Sequence, residues 1–160
     1  MSKKQPNDGL KVKGMFRIKI DENGKVVGDS GWTNNQITLV GFNQYLVMSL
    51  GSIAGSKQVS HIALATGSIP ASNGTSLSGE LNKRATVTAY STVAGSKTLR
   101  FTGSFASSAS FNTTNNNISS VGLFNTSATN TGALFAGNTF ASSALATNQS
   151  VSFTYDIVFA

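Results

Sequence analysis

The chain has 160 residues, long enough for one domain with a real core; only 39% are hydrophobic, and ten Phe must carry much of the burial. It has no Cys and one His, which excludes disulfides, thiol chemistry and Cys-ligated zinc. The formal charge is +6, yet all twelve Lys and Arg lie in the first hundred residues and Asp156 is the one charge in the last sixty. A soluble surface is usually about a quarter to a third charged. Here Ser, Thr, Asn and Gly must make it instead, as from Phe111 to Ile118. That coat suits a static β-rich protein packed among subunits and offers poor material for catalysis.

Residues 1–9 are polar and charged and are expected to form a flexible basic N-terminal arm, followed by a single domain over 10–160. No apolar stretch follows the opening Met1 to Pro6, so no secretory signal is expected, and synthesis in a cytoplasm without autonomous export is the default. No stretch is apolar enough to span a membrane. Leu10 to Ile20 alternates: Val12, Phe16, Ile18 and Ile20 keep one parity, and Lys11, Lys13, Arg17 and Lys19 the other. That is a half-buried strand. Asn23-Gly24 predicts a hairpin turn into a returning strand over Lys25 to Trp32.

Asn34 or Asn35 then caps a predicted helix near 36–50, with Leu39, Phe42, Leu46 and Leu50 at helical spacing and Gly51 as the stop. From residue 58 the pattern is β. Strands are predicted over Val59 to Ala65, Lys83 to Ala94, Lys97 to Phe105, Ile118 to Phe124, Gly132 to Asn138 and Gln149 to Phe159. Polar loops separate them, the longest being Thr66 to Gly79. The last strand is the clearest, with Val151, Phe153, Tyr155, Ile157 and Phe159 on one face. About eight strands at short spacing predict a mainly β fold, a single β-sandwich of jelly-roll type with one short N-terminal helix.

Chemistry is scarce. His61 lies in a predicted strand beside Ile62, with no nucleophile elbow or orienting acid in recognisable spacing. The six carboxylates are scattered, and no metal-ligand or phosphate-loop pattern occurs. No catalytic, cofactor-binding or metal-binding residue is therefore assigned. Glu80 and Arg84, four apart, read as a surface ion pair within the chain or as a contact between subunits. Together with the basic Lys3, Lys4, Lys11 and Lys13 they are the candidate assembly contacts. Nucleic acid is not an expected partner, because neither interleaved aromatics nor an Arg cluster accompanies the lysines.

Several motifs recur in a familiar order. His61-Ile-Ala-Leu-Ala-Thr-Gly67 is followed by Ile69-Pro-Ala71, Thr75-Ser-Leu77, Glu80-Leu81 and Arg84; then come Val121-Gly-Leu-Phe-Asn125, Ala133-Leu-Phe-Ala136 and Val151-Ser-Phe-Thr-Tyr-Asp-Ile157. Over residues 12–159 this order resembles small β-rich virion structural proteins of tailed bacteriophages. It departs from them in Ala65, where Gly is usual, and in Ser119-Ser120, which replace an acidic approach to Gly122. The resemblance implies a virion protein, a capsid decoration (cement) subunit binding the major capsid protein as a homotrimer, and carries no catalytic residues. A tail, baseplate or fibre component is the alternative. From another class comes a glycan-binding β-sandwich for host attachment, for which Trp32, Tyr45, Tyr90 and Tyr155 are the available stacking aromatics.

Overall fold

The computed structural model describes residues 9–91 and 96–160. Lys3, Lys4 and all of the expected arm except Gly9 lie outside these residues. Ten strands form one antiparallel sheet. They are β1 (Val12–Glu22), β2 (Lys25–Asp29), β3 (Thr33–Ile37), β4 (His61–Ala65), β5 (Ala85–Thr86), β6 (Thr88–Ser91), β7 (Thr98–Phe105), β8 (Asn116–Phe124), β9 (Leu134–Leu145) and β10 (Ser150–Phe159). The order is β5-β4-β8-β9-β3-β1-β10-β7-β6, with β2 paired to β1 beside that path. β5 and β6 are separated only by Val87, whose N–H bonds the Ser60 carbonyl at 3.0 Å. One stretch of chain thus pairs with β4 through its first half and with β7 through its second, so the sheet is nearly closed on itself.

The hairpin turn is where the sequence placed it. Asn23 and Gly24 both take positive φ, 52° and 79°, as a tight two-residue turn requires. The entry to β1 and the exit from β10 also meet: Lys11 and Ala160 exchange two backbone hydrogen bonds, each 2.7 Å. From there β1 and β10 run together over ten residue pairs, Val12 opposite Phe159 to Asp21 opposite Ser150.

Alternation along these strands builds the core. Phe16 and Ile18 of β1, Phe101 of β7 and Val151, Phe153, Tyr155 and Ile157 of β10 face Ile62, Leu64, Ile118, Leu123 and Phe135 from the other part of the strand order. Phe16 stacks on Tyr155 at 5.7 Å and meets Phe140 edge-on at 6.0 Å. Residues of opposite parity on β4, β8 and β9 form a second, smaller cluster: Ala63, Ala65, Phe124 and Leu134, joined by Leu77 from the long loop. That loop is pinched at its base, where Thr66 N–H bonds the Gly79 carbonyl at 3.0 Å and Ala65 bridges Glu80.

Two expectations need correction. Asn34 and Asn35 do not cap a helix; they lie in β3, paired to Met15 and Gly14, while Gln36 and Ile37 pair with β9. Both partners are distant in sequence, so nothing local announced the strand, and Asn is a poor strand former. The helical segment, α1 (residues 39–50), therefore starts later, just after Thr38, with Gly41–Val47 wound as a π-helix and Met48–Leu50 as a final α turn. Thr38 does the capping: its hydroxyl accepts the Gly41 N–H at 2.9 Å and donates to the Leu134 carbonyl at 2.6 Å. Gly41 is required by close packing, because a Cβ there would collide with the Phe135 carbonyl.

The β10 alternation generates a direct test. Phe153 is buried and Ser152 exposed. Phe153→Ala should cost about 3–5 kcal/mol in denaturant unfolding, and Ser152→Ala about 0.5 kcal/mol or less. Equal losses would show the face assignment to be wrong.

Candidate functional site

Each carboxylate among the described residues is engaged as an acceptor. Asp21 takes the Gly24 N–H at 3.0 Å and Glu22 the Asn148 amide at 2.8 Å. Asp29 binds Arg17 at 2.9 and 2.5 Å, and Asp156 binds Arg100 at 2.7 and 2.6 Å. The Arg17 hydrogen bond, then the Gly31 N–H, holds the Asp29 carboxyl down to about 2. No group of three or more His, Asp or Glu that could hold a metal occurs among the described residues. None of their helices is long and apolar enough to cross a membrane.

His61 is half-buried, with Nδ1 2.8 Å from the hydroxyl of its neighbour Ser60. Burial, then the charge of Arg84, holds the imidazole below its usual 6.5. The Ser60–His61 contact is between chain neighbours, and among the described residues no carboxylate is hydrogen-bonded to the ring.

Glu80 and Arg84 are not at the surface. Both side chains are fully buried and form a bidentate pair, 2.5 and 3.0 Å. Arg84 also donates to the Thr126 and Thr131 carbonyls, each at 3.0 Å, and its guanidinium lies 3.6 Å from the Phe124 ring centroid. Glu80 accepts the Asn130 N–H at 2.9 Å. Nearby, Asn125 accepts the Ala133 N–H at 2.8 Å. The motif residues Val121 to Asn125 and Ala133 to Ala136 thus bracket a loop held by this buried pair. The sequence offered only the i, i+4 spacing; burial comes from the loop 126–131 folding over it.

Lys11 and Lys13 are exposed at the start of β1, on the face away from the core. They lie close in sequence to Leu10, which lines an open apolar cleft. The apolar stripe of α1 is not all core. Tyr45 is buried against Phe135 with ring centroids 5.1 Å apart, and its hydroxyl donates to the Ala133 carbonyl. Burial pushes the Tyr45 phenol well above its usual range. Leu39, Phe42, Val47 and Leu50 instead remain 62%, 40%, 57% and 87% exposed, with Ile53 and Leu10 also in solvent. Between α1 and the ends of β7 and β10 lie two open apolar clefts of about 300 and 360 Å³, lined by Tyr45, Leu46, Leu99, Phe159, Leu10 and Leu50 among others. The signal was present in the sequence: the helical stripe is too wide for one buried face. No charged residue occurs between Asp29 and Lys57.

Comparison with protein-family models, curated proteins and solved structures found no match to this chain.

Removing one member of a buried ion pair typically costs about 3–5 kcal/mol. Arg84→Ala should therefore destabilise the fold by about that much in urea unfolding, and Arg84→Met with Glu80→Leu should recover most of the loss, since an apolar replacement leaves no unpaired charge. The pH dependence carries its own sign. The unfolded chain takes up a proton on His61 more readily than the native one, so this contribution to stability is full above about 6.5 and falls on acidification below it. His61→Gln should flatten that slope in unfolding midpoints compared at about pH 7.5 and about pH 5.5.

Proposed function

We propose that the chain is a structural subunit of a tailed-bacteriophage virion, a capsid decoration protein that assembles with copies of itself, as a trimer, on the major capsid protein. One observation carries this reading: an exposed apolar face without charges, Leu39, Phe42, Val47 and Leu50, on a sparsely charged protein. Contiguous exposed apolar surface of this kind marks an interaction site. The engagement of the described carboxylates as structural acceptors accords with a role other than catalysis. Lys11 and Lys13, with the basic residues before them, suit an acidic capsid surface.

In this reading the nearly closed sheet is a flattened β-sandwich of jelly-roll-like outline. Its layers are joined where β3 changes partner from β1 to β9 and where residues 85–91 pass from β4 to β7.

Light scattering coupled to gel filtration tests the assembly. The wild-type chain should run as a trimer and Leu50→Asp as a monomer, with an unchanged melting temperature because Leu50 is exposed. Immunogold labelling of tailed particles from a culture producing the chain tests the place. Gold on heads is expected; gold on tails alone would replace decoration by a tail role. A monomer at high concentration with unlabelled particles would overturn the proposal.

A further inference from the structure

Among the described residues, β3 is the one strand that joins β9 to β1 in the sheet order. Three residue pairs tie it to β1 and two to β9, whereas β1 and β10 share ten. Four of its five residues are polar, none is fully buried, and Ile37 alone packs partly against the core. Other ties are few. The Asn138 amide donates to the Asn34 carbonyl at 2.9 Å, and Trp32, just outside the strand, has its ring centre 5.8 Å from the Arg100 guanidinium carbon. The ends of the segment are held better. Ser30 exchanges two bonds with Ile18: its N–H donates to the Ile18 carbonyl and its hydroxyl accepts the Ile18 N–H, each at 2.9 Å. Thr38 donates its N–H to the Phe135 carbonyl at 3.0 Å and its hydroxyl to the Leu134 carbonyl at 2.6 Å. Gly31, beside the first of these clamps, takes a φ of 65°.

Asn35 works against this strand. Register places it opposite Gly14, and its amide lies over that glycine so closely that a Cβ there would come within 2.4 Å of Nδ2. Both polar atoms of the amide are buried, and neither has a hydrogen-bond partner among the described residues. A buried amide of this kind forfeits bonds that water supplies once the strand lifts. The two sides of the seam also keep a contact that does not involve β3. Phe16 of β1 meets Phe140 of β9 edge-on at 6.0 Å, and both rings are buried. Lifting β3 therefore leaves a core contact between β1 and β9 in place. Local opening is easiest where few apolar side chains hold an element to the core. β3 meets that condition between two firm ends.

We infer that β3 is a strap, hinged at Gly31 and Thr38, that opens ahead of the rest of the fold and bares the facing edges of β1 and β9. Bare strand edges pair with extended segments of other chains, and the closed strap keeps these two covered. Opening of this kind does not depend on the chain being a virion subunit.

Hydrogen exchange of the full-length chain, followed by NMR at single amides, tests the strap. Protection of Thr33 to Ile37 should be at least about tenfold below that of Val151 to Ile157. Of the β1 amides from Gly14 to Phe16, those turned toward β3 should exchange with the strap, and those turned toward β10 should stay protected. Asn35→Val removes the unpartnered amide and should slow strap exchange about tenfold. The chain has no Cys of its own. Met15→Cys with Asn34→Cys, at positions opposite each other in register, therefore places one disulfide between β1 and the strap. When it is oxidised, protection of Thr33 to Asn35 should rise by about tenfold or more, and reduction should restore fast exchange. Circular dichroism confirms that each variant is folded. Wild-type β3 amides as protected as those of β10 overturn the strap, as does fast exchange of Thr33 to Asn35 that persists in the cross-linked chain. Unchanged exchange in Asn35→Val overturns the part given to the buried amide.

Discussion

A guanidinium and a carboxylate buried together, with almost no water to share, impose the strictest demand in this fold. Every polar atom must find a partner inside the protein, because an unpaired buried charge is far more costly than a broken surface pair. Glu80 and Arg84 meet that demand by drawing in Thr126, Asn130 and Thr131. The consequence is architectural. Glu80 bridges the end of β4, Arg84 covers Phe124 at the end of β8, and the loop they bind leads directly into β9. Arg84 is also the residue before the strand segment that closes the sheet. Four elements are thereby set relative to one another by one ion pair.

The elements that could be read from the sequence are those whose cause is local. The period-two pattern from Val151 to Ile157 specifies both a strand and its buried face, and Asn23-Gly24 specifies a turn through the backbone angles those residues tolerate. β3 could not be read this way. Thr33 to Ile37 is polar and short, and it becomes a strand because Gly14 to Phe16 and Ala136 to Gly137 arrive on either side of it. Helical spacing around residues 39–50 correctly indicated winding but did not say which of its apolar residues face the core. The π turns place Tyr45 inward and leave Leu39, Phe42 and Leu50 outward. For the candidate site, the lysines were visible as charges, while the burial of Glu80 and Arg84 depended on a loop more than forty residues away.

The sparse charge also acquires a physical meaning. A Lys- or Glu-rich surface must be stripped of tightly held water before another subunit can pack on it. Ser, Thr and Asn lose less hydration and can exchange their bonds with a neighbour's. The charges that remain are mostly placed where geometry uses them, as in Arg17–Asp29 and Arg100–Asp156 across adjacent strands. A charge-free apolar patch at α1 and a basic start to β1 are two distinct parts of that surface.

The meeting of Lys11 and Ala160 has a mechanical consequence. Because β1 and β10 are antiparallel neighbours that begin and finish at the same edge, tension applied between the two ends pulls across their hydrogen bonds rather than along them. The bonds are loaded one pair at a time, starting at Val12 and Phe159, so the strands separate like a zip and resist weakly. Strands pulled lengthwise would have to break the whole ladder together. A fold of this design yields more readily to force entering through Lys11 and Ala160 than to force directed along the β1–β10 ladder.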